Sequence, residues 1–138
     1  MKRYFSIIVF SFCFFSFAIA QNSRSYIREQ IQNNGGVKNV AITRTNGDLM
    51  LYGGNGWAGQ GLPSGLSNAL NELNNARETI VDVQLTEAGS WIVLYGHNGF
   101  RWSNIPYGLE QTIRKWNSEN ERITSVSFND VGDWIVIS

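Results

Sequence analysis

The chain repeats itself. Shifted by 43 positions, the sequence overlays on itself without a gap. "LMLYGGNGW" (Leu49 to Trp57) falls on "IVLYGHNGF" (Ile92 to Phe100), and "IVI" (Ile135 to Ile137) takes the same place in a third copy. Val40, Ile42 and Thr43 fall on Val83, Leu85 and Thr86, then on Val126, Phe128 and Asn129. Pro63, Gly65, Leu66 and Leu70 fall on Pro106, Gly108, Leu109 and Ile113. A fixed spacing with matches in several separate segments marks a tandem architecture. In such a chain each unit is one supersecondary element that buries its apolar face against its neighbours.

Each unit reads as two strands and a helix. In "IVDVQLT" (Ile80 to Thr86), Val81, Val83 and Leu85 alternate with Asp82 and Gln84, the pattern of a strand with one buried face. "EAGS" (Glu87 to Ser90) supplies turn residues, and "WIVLY" (Trp91 to Tyr95) is apolar on both faces, as a central strand is. The same hairpin is predicted at Val37 to Tyr52 and at Ile123 to Ile137. In the first copy Asn46-Gly47 is a hairpin-turn pair, because both residues tolerate positive φ. Leu62, Leu66, Leu70 and Leu73 then recur at helical spacing, with Pro63 suited to a first helical position. Ile105, Leu109, Ile113 and Trp116 repeat that stripe around Pro106. "SYIREQIQNNGG" (Ser25 to Gly36) fits the same slot ahead of the first hairpin.

The expected fold is α+β: three pseudo-repeated α-β-β units, mainly antiparallel, with up to six strands and helices over one face. A closed pseudo-threefold ring is the alternative. A propeller blade has a similar period but needs four strands where this unit offers two.

The N-terminus reads separately. Lys2 and Arg3 precede an apolar run that closes on Ala18-Ile19-Ala20, the small-x-small pattern of a signal-peptide cleavage site. Residues 1–20 are therefore expected to be a signal peptide and 21–138 a single exported domain, secreted or periplasmic. Cys13 leaves with the leader, so the mature domain has neither disulfide nor thiol chemistry. Without Lys2 and Arg3, nine basic side chains stand against eleven acidic ones, a net charge of −2. That balance argues against nucleic acid and, after cleavage, against a membrane partner.

Gly54-Asn55-Gly56-Trp57-Ala58-Gly59 spells G-x-G-x-x-G. A pyrophosphate-binding turn of that form opens a helix directly after a strand in a βαβ unit. Here it follows a hairpin, and the second copy, "GHNGFRW" (Gly96 to Trp102), has lost half of it. What both copies keep is Tyr-Gly-x-Asn-Gly and an aromatic, a turn in which Asn-Gly supports left-handed backbone angles. No nucleotide or other cofactor is expected.

Catalytic candidates are few. His97 is the sole histidine, and its counterpart in the first copy is Gly54. A hydrolase would need it beside Ser90 or Ser103 and a carboxylate, with no nucleophile elbow to support the arrangement. The pairs Asp130/Asp133 and Glu119/Glu121 sit in polar connections, where solvated charge is the ordinary reading. No spacing suggests a metal site. The domain is read as a non-enzyme.

Aromatic residues offer a better lead. Trp91, Trp134 and Trp116 belong to strands and helix and are expected in the core. Trp57, Phe100 and Trp102 lie in or beside the glycine-rich segments, with Arg101 and the turn residues Asn55 and Asn98. Flat rings on loops stack on sugars or anchor protein partners, and a guanidinium adds a fork of donors. These six residues are the candidate ligand site, for a glycan or a protein. As plugs between helix and sheet, Trp57 and Phe100 would instead be structural.

The pattern W-I-V-L-Y-G-x-N-G-[FW], followed by [LI]-P-x-G-L, resembles uncharacterised tandem repeat modules of exported bacterial proteins. The resemblance covers nearly all of the mature chain and implies a non-catalytic recognition role. Related units can accompany other domains, including peptidase-like ones. The first copy departs from the pattern with Asp48 where the others have Trp91 and Trp134. Three functions follow as expectations: an exported binding module, an inhibitor or accessory protein that uses an exposed edge of the last strand, and a small hydrolase using His97.

Overall fold

The computed structural model describes residues 25–45 and 47–138. The expected signal peptide and Asn46 of the first hairpin turn lie outside the described residues. Helix α1 (25–34) leads into sheet A: β1 (Val37–Ile42), β2 (Asp48–Tyr52) and β3 (Gly56–Gln60). Helix α2 (Ser64–Asn75) precedes sheet B, built of β4 (Ile80–Leu85), β5 (Trp91–Tyr95) and β6 (Gly99–Ser103). Helix α3 (Tyr107–Ser118) precedes sheet C, the hairpin of β7 (Ser125–Phe128) and β8 (Trp134–Ile137). Strands pair antiparallel in chain order within each sheet, and no sheet closes into a barrel or ring. The α+β class and the three α-β-β units are as the sequence predicts.

Among the described residues eight strands replace the up to six expected, because both glycine-rich segments form a third strand. The reason lies in Tyr-Gly-x-Asn-Gly. Gly53 and Gly96 turn the chain at φ +58° and +59°, and Gly56 and Gly99 then pair with Tyr52 and Tyr95. A Cβ on Gly56 would stand 2.3 Å from Tyr52 Cε2, and one on Gly99 2.4 Å from Tyr95 Cε2. Each tyrosine ring thus lies across the bare backbone of the neighbouring strand, so the glycine is demanded by packing as well as by the turn. Strands as poor in β-branched residues as "GWAGQ" give no alternating signal of their own.

Helices and sheets alternate in layers. α2 lies between sheets A and B: Leu66, Leu70 and Leu73 pack with Leu49 and Leu51 on one side and with Val83, Trp91 and Val93 on the other. α3 lies between sheets B and C, where Leu109 and Ile113 meet Ile92, Leu94, Val126 and Phe128. β5 is therefore buried on both faces, Trp91 and Val93 toward α2, Ile92 and Leu94 toward α3. Its all-apolar sequence follows from that position, and the middle sheet has helices on two faces, beyond the one expected. Each fully buried leucine contributes about 1.5–3 kcal/mol, so α2 is held chiefly by its two neighbours. Both helices start one residue later than predicted. Pro63 and Pro106 occupy the N-cap, with φ near −55° and no side-chain cap.

Asp48 departs from the repeat in its contacts as well as its identity. Trp91 packs over Gly65 of α2 and Trp134 over Gly108 of α3. At Asp48 the buried carboxylate instead accepts from Gln60 Nε2 through Oδ2 at 2.8 Å, and its Oδ1 has no partner among the described residues.

Repeat-equivalent residues also clasp the units together along β1, β4 and β7. Asp82 accepts from Asn39 Nδ2 of the first unit and, at 2.9 Å each, from Ser125 Oγ and the Val126 N–H of the third. At the turns, Glu87 accepts from the Arg44 N–H at 2.9 and 3.0 Å, and Asp130 from the Ala88 N–H at 3.1 Å. The Arg44 N–H bond is the main cause that holds the Glu87 carboxyl below the ordinary glutamate range, with Thr45 assisting and partial desolvation opposing. A depressed native pKa means that the clasp contributes above the unfolded pKa and is lost as pH falls through the native one. Under acid titration by NMR, Glu87 is expected to protonate below the ordinary glutamate range, and the Arg44 amide shift to follow the same midpoint. A Glu87→Gln chain should lack that amide transition.

Candidate functional site

The six expected ligand residues fall into three separate settings. Asn55 is part of a clasp: its Nδ2 donates to Asn74 O at 3.3 Å, and Asn74 Nδ2 donates back to Asn55 O at 3.0 Å. Its repeat-equivalent Asn98 accepts from Asn117 Nδ2 in the same way. With its amide nitrogen facing the carbonyls of His97 and Glu121, the Asn98 side chain donates to both, at 2.7 and 2.9 Å. Both asparagines thus tie a strand turn to the C-terminal end of the next helix. Trp57 pairs with Leu51 and packs against the core around α2.

The second unit divides its three candidates between two faces of β6. Phe100 and Trp102 point toward α3, stacked on each other with centroids 5.0 Å apart and planes at 26°. The Arg114 guanidinium lies 4.8 Å over the Trp102 ring and is also ion-paired to Glu110 at 2.8 Å. Arg101 faces the other way, toward α2, where it pairs with Glu72 and lies 5.9 Å over the Tyr95 ring. The Glu72 bond raises the Arg101 pKa further above its already high value. The residues read as one loop cluster are therefore strand and turn residues whose polar groups and ring faces are already engaged.

Catalytic constellations do not assemble among the described residues. His97 is exposed on a turn, and no group of three His, Asp or Glu side chains could hold a metal ion. Asp133 Oδ2 accepts from Asn129 Nδ2 at 3.1 Å, and Glu119 stands 3.9 Å from Lys115. One open cleft of about 320 Å³ lies between the turns of sheets B and C, with Ser90, Asn104, Phe128 and Asn129 among its lining. Asn104 Nδ2 donates to Ser90 Oγ at 2.9 Å there, so its polar groups are paired with each other.

The unsatisfied surface is at the end of the stack. β2 and β5 each have a strand on both edges, whereas among the described residues β8, their repeat-equivalent, pairs only with β7. Ile137 O accepts from the Thr124 N–H at 2.8 Å, so the backbone groups of Ile137 and, two residues away, Ile135 face β7. Those of Trp134 and Val136 consequently point out at the free edge. One face of sheet C is bare as well. Ile135 and Ile137 are 58% and 51% exposed, where their equivalents Ile92 and Leu94, beneath α3, are 1% and 3%. The final apolar strand carries no Lys or Pro to blunt its edge. Sheet C thus has one strand fewer than sheets A and B.

No helix among the described residues is long and apolar enough to cross a membrane. Comparison of the chain with known protein families, curated proteins and solved structures finds no match.

Proposed function

We propose that this chain is an exported, non-enzymatic protein-binding module that takes up a strand of its partner along the outer edge of β8. The observation that supports this reading is the single-sided pairing of β8, whose equivalents β2 and β5 are paired on both edges. Main-chain hydrogen bonds supply the affinity in strand addition, and alternate side chains supply the selectivity. A glycan reading would rest on Phe100, Arg101 and Trp102, and it has less support because their ring faces and guanidinium are engaged within the chain.

The test is an NMR titration of the chain from residue 21 onward with a short Lys-flanked Thr-Val peptide, which offers a strand without special side chains. The amides of Trp134 and Val136 are expected to shift and to gain protection from exchange. Val136→Pro removes one outward N–H while leaving the bonds to β7 in place, and should weaken the peptide about tenfold. Unmoved edge amides, together with a Trp102 indole that responds to soluble glycans, would replace this reading with the glycan one.

A further inference from the structure

The side chains around β8 describe the strand that fits beside it. This inference rests on the edge-pairing reading and adds the partner's chemistry. In sheet B the strand next to β5 places Phe100 opposite Leu94 and Trp102 opposite Ile92, both toward α3. The equivalents of Leu94 and Ile92 are Ile137 and Ile135, which are exposed. A strand added to β8 in the same register sets two residues, i and i+2, directly over these isoleucines. Aromatic side chains at those positions reproduce the cover that sheet B already has, and aromatic-with-β-branched cross-strand pairs are favourable.

The residue between them faces the opposite way, and here the units differ in charge. Arg101 lies opposite Val93 and pairs with Glu72 of α2. One repeat on, Val93 becomes Val136, which packs toward α3, and Glu72 becomes Lys115 of α3. Lys115 is 68% exposed on its side chain, and its nearest carboxylate is Glu119 at 3.9 Å. A strand that kept arginine at the middle position would set two cations together. A carboxylate there would meet Lys115 as Arg101 meets Glu72.

We propose that the partner strand has the form aromatic–acidic–aromatic, antiparallel to β8, with its aromatics on Ile137 and Ile135 and its carboxylate on Lys115. In sheets A and B such a strand leads into a helix, β3 into α2 and β6 into α3, whose leucines and isoleucine finish covering the sheet; the partner segment continues into an amphipathic helix of the same kind.

The experiment uses synthetic 20-residue peptides with the sequence of residues 99–118, titrated against the intact domain and read at the Trp134 and Val136 amides. The R101E peptide is expected to bind about fivefold more tightly than the unaltered one, and to lose about tenfold when Phe100 and Trp102 in it are both alanine. Against a Lys115→Glu domain, the preference between the Arg and Glu peptides should reverse. If the Thr-Val peptide binds as well as R101E, or the charge preference survives Lys115→Glu unchanged, the proposed partner chemistry is overturned while edge pairing stands. If no peptide moves the edge amides, both fall.

Discussion

Trp91→Ala is expected to destabilise the domain by about 3–5 kcal/mol, and Trp134→Ala by roughly half of that or less. The two tryptophans are one repeat apart and make the same local contact, each indole lying over the second residue of a helix, Gly65 or Gly108. Their surroundings differ. Trp91 is 7% exposed in a core shared by sheet A, α2 and sheet B, whereas Trp134 is 40% exposed in the terminal hairpin. Removing Trp91 therefore leaves a cavity that three layers would have to close. Removing Trp134 opens a site that water already reaches in part. A domain of this size has about 5–15 kcal/mol of stability, so Trp91→Ala should bring the chain near the edge of folding. Urea unfolding followed by far-UV circular dichroism measures both changes. Equal losses would mean that Trp134 is enclosed in solution as thoroughly as Trp91.

The same comparison shows what the sequence can and cannot convey. The 43-residue period exposed the units, and "WIVLY" announced a strand buried on both faces because no polar residue interrupts it. Leu66, Leu70, Leu109 and Ile113 were legible as helix faces because their spacing allows little else. The third strands were hidden, since "GWAGQ" and "GFRWS" owe their extended form to a neighbour: a tyrosine ring on a glycine and a ladder with β2 or β5. Reading them as loops turned their aromatics into candidate ligand contacts. Phe100 and Trp102 prove to be stacked under α3, and Arg101 is turned to the opposite face. Asn55 and Asn98 read as turn residues and candidate ligand contacts, because their partners Asn74 and Asn117 lie 19 positions away. A strand at Trp134 to Ile137 was legible from its apolar run, but its pairing, its register and its charged neighbour Lys115 needed the sheet itself.

Asp82 ought to be the polar residue on which the stack most depends. It is 8% exposed, and its two oxygens receive three donors from two other units: Asn39 Nδ2, Ser125 Oγ and the Val126 N–H. Asp82→Ala strands the Val126 N–H in a buried site, and one such orphan costs about 1–3 kcal/mol. Loss of the charge-assisted bonds to Asn39 and Ser125 adds to this, for an expected total of about 3 kcal/mol. Asp82→Asn should cost less, because its oxygen can still serve Val126, but its amide then faces the amide of Asn39 donor to donor. Ser125→Ala removes only a peripheral hydroxyl, at about 1 kcal/mol. The pairwise measurement is decisive. If Asp82 joins the units, the double change Asp82→Ala with Ser125→Ala falls short of the sum of the single changes by about 0.5–1 kcal/mol. Asp82→Ala should also lower the denaturant dependence of unfolding, because units that share weaker contacts no longer unfold as one. Strict additivity with an unchanged slope would place the coupling between units entirely in the apolar layers around α2 and α3.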